Sequence, residues 1–414
     1  MNVIDWINLF IGGVFFISSV YQLFYLAVPY LFPEKPHKPW VAHRITVLIA
    51  ARNEEAVLGH LLDSIAAQSY PQELVQVCVC ADNCTDGTAR LAREHGALVV
   101  ERQDKEKIGK GYVLNYLLKA LKENGVHQRT DAYLVLDADN VLDSEYLYHI
   151  NQSYCDGYEV VTGYRNSKNF GDNWISAGYG LWFLRECQFM NRPRHRLGSQ
   201  SLVMGTGFLF GRHVADEMDG WNYFSMTEDT DFSMDRICHN KCIGYCENAV
   251  LYDEQPTGFR QSWRQRMRWT RGSFQMFYKY GHPLLVNFVR GCWGCYDALA
   301  ANLSAFIMSL AATLVNLVNS VLRLCCGESL WPVLVSVALS VGLCYGGLFF
   351  LGLVTALSEW HRIRAATWQK VVYLFTYPLF IFTNLPIALT GLVCRVTWKP
   401  IHHTRALSLK DIEK

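Results

Sequence analysis

The sequence predicts an α/β fold, a mostly parallel sheet covered by helices on both faces, carried on a membrane anchor and followed by transmembrane and interfacial helices. Three observations predict it. Short apolar runs alternate with helical periodicity between Val41 and Asp139. Polar residues gather where those runs end. Long apolar segments lie on either side of the polar region.

The first apolar segment, Trp6 to Phe32, is broken only by Asn8, the pair Ser18–Ser19 and Gln22, and is long enough to span a bilayer. It has no basic start and no small-residue cleavage site, so it reads as an anchor. Next, "RITVLIAARNEE" opens with a buried-strand run, Ile45 to Ala50. Val57, Leu58, Leu61, Leu62 and Ile65 then follow helical spacing. A second strand runs from Val75 to Ala81 and ends at Asp82. "ARLAREHG" reads as a helix closed by Gly96, and "ALVVER" as a short strand. "AYLVLDADN" is a further buried strand, ending in Asp137 and Asp139. In such sheets ligands bind outside the carboxyl ends of strands.

After Tyr280 the chain turns apolar again. Spans are expected near Leu299–Leu322 and Trp331–Leu357, with a third segment, Val371–Val393, interrupted by Pro378, Asn384 and Pro386. No Lys or Arg precedes the first span, while Lys35, Lys38 and Arg44 follow it, which faces the amino terminus outward and the polar domain to the cytosol. The expected divisions are an anchor (1–36), a cytosolic α/β domain (37–255), amphipathic interfacial helices (256–297), a C-terminal membrane region (298–395) and a cytosolic tail (396–414). The tail's charge puts it in the cytosol, yet four simple crossings would leave it outside. Either Val371–Val393 is re-entrant or interfacial, or the tail lies outside.

A net charge of +1 gives no argument for nucleic acid. Of the 14 cysteines, Cys292 and Cys295 form a CxxC, and Cys238, Cys242 and Cys246 recur every fourth residue. They read as reduced, buried small side chains, because four-residue spacing along a strand does not build a metal cage.

Residues i and i+2 of a strand point to one side, so Asp137 and Asp139 converge and suit a hard divalent cation that also holds phosphate oxygens. Lys110 adds a point charge for the phosphates. In "SLVMGTGFLF", Gly205 and Gly207 either let backbone approach a ligand or form a plain β-bulge. In "TEDTD", Thr227 or Asp229 either caps a helix or supplies a carboxylate that takes a proton from an attacking hydroxyl. "GFRQSWRQRMRWTRG", Gly258 to Gly272, holds five arginines and two tryptophans. It reads as an interfacial helix.

These pieces, in this order, resemble the membrane-bound family 2 glycosyltransferases, the cellulose, chitin, hyaluronan and poly-N-acetylglucosamine synthases. The matching residues are Asp82, the DAD at Asp137–Asp139, the TED at Thr227–Asp229, and the QxxRW pattern at Gln265–Trp269. The resemblance implies a GT-A domain that binds a UDP-sugar with Mg2+ or Mn2+. Asp82 would bind uracil, and Lys110, Asp137, Asp139, Gln265, Arg266 and Arg268 the rest of the UDP, with Asp139 and Asp137 holding the metal. Asp229 would be the general base, beside Glu228. Trp269 would be a platform for the acceptor sugar, with Gly205, Thr206 and Met204 alongside; some family members carry cysteine where Met204 stands. "CRVTWK" is similar to a gating-loop element, matched by Thr397 and Lys399, with Cys394 in place of its phenylalanine; the plainer alternative is a basic membrane-flanking tail.

The implied activity is an inverting transfer from a UDP-hexose, UDP-glucose favoured, into a β-linked polysaccharide secreted through the enzyme's own spans at the plasma membrane. The growing polysaccharide would be the acceptor, and secretion or regulation would draw on accessory subunits. The alternatives are UDP-N-acetylglucosamine as donor, or transfer of a single sugar to a lipid acceptor. A transporter would want ionisable residues inside the spans, and the C-terminal segments hold almost none besides Arg323.

Overall fold

The computed structural model describes residues 3–301, 305–327, 329–394 and 406–412. Among these, eight strands make one sheet: β1 (Ile45–Ala51), β2 (Val75–Asp82), β3 (Leu98–Arg102), β4 (Ala132–Asp137), β5 (Val141–Leu142), β6 (Val160–Ser167), β7 (Phe208–Gly211) and β8 (Ile243–Asp253). Their order is β3-β2-β1-β4-β7-β6-β8-β5. The first four strands are parallel, β7 runs antiparallel to both neighbours, and β6 and β8 are again parallel.

The near-continuous apolar runs are explained by burial on both faces. Val47, Ile49 and Leu134 pack under Leu58, Leu61 and Leu62 of the helix Leu58–Ala66. Leu48, Cys78, Cys80 and Val135 pack under Val113, Leu114, Leu117 and Leu121 of the helix Lys110–Glu123. Burial pushes the thiols of Cys78 and Cys80 up to about 12, so both behave as apolar fillers. The chain passes from β1 to β2 and β3 on one side and returns to β4 on the other. That reversal opens a crevice at the carboxyl ends of β1 and β4.

The anchor forms the helices Val3–Ser19 and Tyr21–Leu31. Among the described residues, three helical stretches are long and apolar enough to cross a membrane, Leu9–Leu31, Trp331–Ser358 and Thr367–Val393, with a shorter apolar helix at Thr313–Cys325. The span expected at Leu299–Leu322 falls partly outside the described residues.

The segment Val371–Val393 is broken at Thr383 into the helices Thr367–Phe382 and Asn384–Val393. Both pieces lean on the catalytic half. Phe380 packs on Gly178, and Gly391 on Met267 and Thr270. Farther on, Leu407, Leu409 and Ile412 pack against Val141 and Tyr252 of β5 and β8. Residues 407–412 thus pack on the same domain as the sheet.

Candidate active site

The crevice is built by the loops that close the strands. Asn53 and Asn83 follow β1 and β2 with positive φ, 57° and 50°, a conformation asparagine tolerates better than most side chains. At the end of β2, Asp82 is only 3% exposed and accepts from Arg102 Nη1 at 2.6 Å and from Asn83 Nδ2 at 3.0 Å, both on Oδ1.

At the end of β4, the DADN loop is knitted to the MGTG loop. Thr206 Oγ1 donates to Asn140 Oδ1 at 2.5 Å and accepts from the Asp137 backbone at 2.9 Å. Thr206 is 2% exposed, so it joins these loops and does not face an acceptor. Lys110 Nζ donates to Asp137 Oδ1 at 2.5 Å and to Gly205 O at 2.8 Å, which brings cation, carboxylate and glycine loop together. The two glycines differ. A Cβ on Gly207 would lie 1.9 Å from Leu251, a close-packing constraint. Gly205, at φ 85°, lies at the site, its Cβ position 3.5 Å from Asp229 Oδ2.

Glu228 and Asp229 open the helix Glu228–Cys238. The positive end of a helix suits carboxylates, yet both are raised. Burial and then the neighbouring charge of Asp229 push Glu228 up to about 7. Burial also raises Asp229, against its hydrogen bond from Thr230 and the pull of Lys110, Arg268 and Arg165. Such a pair titrates together.

The helix Phe259–Val289 carries the QxxRW residues. It locks onto the TED loop at Gly272, where a Cβ would fall 2.2 Å from Thr227 Oγ1. Lys279 Nζ and Tyr280 OH both donate to Asp231 at 2.8 Å, farther along the same contact. Arg268 is near enough to stabilise both raised carboxylates. Trp269 meets Tyr179, Phe183 and Trp182 edge-on at 5.7, 6.1 and 6.3 Å.

Arg266 departs from its expected place on the diphosphate. It is 2% exposed, and its Nη1 donates to Phe380 O, Thr383 Oγ1 and Asn384 Oδ1 at 3.0, 2.7 and 3.1 Å. On a helix, residues two apart face different ways, so Arg266 and Arg268 cannot share one ligand. Arg266 instead ties together the Phe380 carbonyl and the Thr383 and Asn384 side chains where the helix breaks at Thr383. Gln265 is half-buried, with Oε1 unpartnered. Thr397 and Lys399 lie outside the described residues.

Three charged residues at this site were not foreseen. Arg165 on β6 donates to Asp253 and to Met204 O (2.6 Å), with its guanidinium 3.8 Å from the Phe183 ring centre. Met204 thus meets the site through its carbonyl. Lys168 donates to Asp139 O, and burial lowers its affinity for a proton against the pull of Asp139 and Asp253. Asp139 Oδ2 also accepts from the Glu254 backbone at 3.0 Å. The signal was present in "GYRNSK" and "LYDEQ", where charges close apolar runs as Asp137 does.

Among the described residues, no group of three or more His, Cys, Asp or Glu side chains is arranged to hold a metal. This includes Cys238, Cys292 and Cys295, which pack together in one cluster. Asp137 and Asp139 fit a divalent cation as a pair of hard oxygen donors whose remaining positions a diphosphate would fill.

A family described as "Glycosyltransferase like family 2" matches residues 43–272. The chain is 27% identical over 330 residues to the beta-monoglucosyldiacylglycerol synthase of Nostoc sp. strain PCC 7120, and 28% identical over 330 residues to that of Trichormus variabilis, covering 75% of this chain in each case. The match spans 66% of the length of either relative. Over 95 residues, 23% of this chain and 24% of the relative, it is 42% identical to the 4,4'-diaponeurosporenoate glycosyltransferase of Staphylococcus aureus. The mannosyltransferase PcManGT of Pyrobaculum calidifontis, solved with GDP-Man and Mn2+, shares the fold at a TM-score of 0.62 and 15% identity, over 94% of this chain and 99% of that one.

Proposed function

The chain belongs to the family 2 glycosyltransferases, with their GT-A fold, and from that premise we propose that it transfers one hexose, glucose foremost, from a UDP-sugar to the hydroxyl of a membrane lipid of the diacylglycerol class. One observation carries the reading. The raised pair Glu228 and Asp229 is locked, through Thr227 and Gly272, to a helix whose aromatic and basic face suits a membrane surface. A base held there suits an acceptor that stays in the bilayer. The names of the Nostoc and Trichormus relatives, which describe a single β-glucose on diacylglycerol, favour this over polymerisation.

Asp229 takes the proton of the acceptor hydroxyl. The hydroxyl oxygen bonds to the anomeric carbon as the bond to the β-phosphate oxygen breaks on the opposite face, so a β-linkage results. Lys110 and Arg268 supply positive charge toward the diphosphate leaving group. Asp82, with both its hydrogen bonds on Oδ1, keeps Oδ2 for the uracil N–H. Asp137 and Asp139 would hold the divalent cation, which when bound neutralises diphosphate charge. Arg165, pinned by Asp253 and Phe183, orients the Met204–Gly205 loop beside the base. Trp269, with Trp182 and Phe183, gives the lipid's glycerol end an apolar wall.

The test is UDP release by the purified protein in nanodiscs containing diacylglycerol, with UDP-glucose, UDP-N-acetylglucosamine or UDP-galactose and magnesium or manganese, followed by mass spectrometry of the lipid. A monoglycosylated lipid formed with one donor supports the proposal. A high-mass polymer digested by glycan hydrolases would instead return the polymerising alternative.

A further inference from the structure

A second cavity, of about 650 Å³, opens where two candidate spans meet the catalytic domain. Its walls include Tyr30 at the foot of the anchor, Val354 and Leu357 at the foot of the span Trp331–Ser358, and two arginines, Arg192 and Arg362. We propose that this cavity binds the phosphodiester headgroup of an anionic glycerophospholipid, with the acyl chains running up along Val354 and Leu357.

The polar floor is already assembled. Ser358 Oγ accepts from Tyr30 OH at 2.8 Å and from Gln188 Nε2 at 2.9 Å. Arg192 Nη1 donates to Gln188 Oε1 at 2.8 Å. Among the residues lining the cavity, two guanidinium groups, Arg192 and Arg362, stand against one carboxylate, Glu359; outside the lining, Arg192 and Arg196 share Glu247, with Glu34 close by. The lining itself is positive, and arginine forks suit a phosphodiester.

Arg362 is the cation with capacity to spare. Its side chain is 39% exposed, and its contacts to Glu247 O and Glu359 are long, at 3.3 and 3.7 Å. It lies over the Tyr164 ring at 4.2 Å, which aims the guanidinium. Apolar wall above and guanidinium below is the order in which a phospholipid presents its own parts. The cavity is also separate from the active site. Tyr164 and Arg165 are successive residues of β6, so their side chains leave opposite faces of the strand.

The probe is phosphatidylglycerol retained by the full-length protein in detergent, counted by native mass spectrometry. Wild type should retain one lipid at about tenfold higher occupancy than Arg362→Gln. Val354→Trp, which fills the cavity and leaves every charge in place, should lose it equally. Trp269→Ala, in the proposed acceptor wall, should keep it. Inorganic phosphate and glycerol 3-phosphate should not displace it. Equal retention in Val354→Trp and wild type overturns the proposal. So does loss in Trp269→Ala alone, which would put the lipid in the acceptor site, and so does displacement by inorganic phosphate, which would make this a soluble-anion site. These outcomes do not depend on transfer activity, so the lipid site and the proposed reaction fail separately.

Discussion

Two clusters of charge meet the Phe259–Val289 helix, one at its middle and one past its end, and they have settled their electrostatics in opposite ways. Past its end, Arg194 and Asp297 are each 1% exposed and meet as a fork, Nε to Oδ2 at 2.8 Å and Nη2 to Oδ1 at 2.9 Å. Tyr21 OH and Tyr25 OH add two more hydrogen bonds to the same carboxylate, at 2.8 and 2.9 Å. Burial pushes Asp297 up, but Arg194 and the two hydroxyls outweigh it and hold the group below the usual carboxylate range. Beside the middle of the helix, Glu228 and Asp229 are raised. The first cluster is satisfied and ties the anchor to the interfacial helices. The second carries unmet demand for positive charge and protons. A cluster kept in that condition is a candidate for chemistry.

Substitution should separate the two. Asp229→Asn should lower transfer by on the order of a thousandfold while UDP affinity, measured by calorimetry, persists; loss of UDP binding would show that Asp229 holds the nucleotide. Its melting temperature should not fall, because a mutually repelling charge is gone. Arg194→Met should do the reverse. It strands Asp297 in the interior and costs about 3–5 kcal/mol of stability. Arg194→Met with Asp297→Leu should recover most of that loss in thermal unfolding, and failure to recover would mean that the pair's geometry, and not its charge balance, holds the anchor.

Gly272→Val tests the link between the helix and the base. The added carbons would push Thr227 away and misplace Asp229, lowering kcat at least tenfold with little change in melting temperature. A fully active variant would mean that the TED loop adapts. Trp269→Ala should raise KM for the lipid acceptor severalfold and leave UDP binding unchanged. Unaltered acceptor kinetics would remove the aromatic wall from the account.

The smallest effect is on pH. With Glu228 pushed up to about 7, the pair takes up a proton as pH falls through that value, so kcat/KM should fall on the acid side. The stability sign is opposite. A raised carboxylate contributes stability below its unfolded value and loses it as pH rises through the folded one. Glu228→Gln should therefore move the acid limb downward and raise the melting temperature most at alkaline pH. An unmoved limb would assign that proton elsewhere.

How far the sequence could be read follows from which interactions are local. The parallel core was legible because strands buried on both faces must be continuously apolar, as Ile45–Ala50 and the run before Asp137 are. Asp137, Lys110 and Asp229 stood out as candidates because the roles expected of them need only a residue type at an element's end. Arg266 was misread for the converse reason: its neighbour Arg268 fits the pattern, and only helix phase against Phe380 and Thr383 separates them. Arg165, Lys168 and Asp253 were missed because their partners, Asp139 and Met204, are remote in the chain.

By itself, then, the sequence determined the class of fold, the membrane-apolar segments and the candidate carboxylates, since periodicity, length and end-of-strand charge are properties of neighbouring residues. Only the tertiary structure decided that Arg266 is drawn to the helix break, that Thr206 is a loop fastener, that residues 407–412 pack on β5 and β8, and that one carboxylate is held ionised while another is pushed toward neutrality. Each of those depends on distances between residues far apart in sequence, where a few ångströms set whether a charge finds its partner.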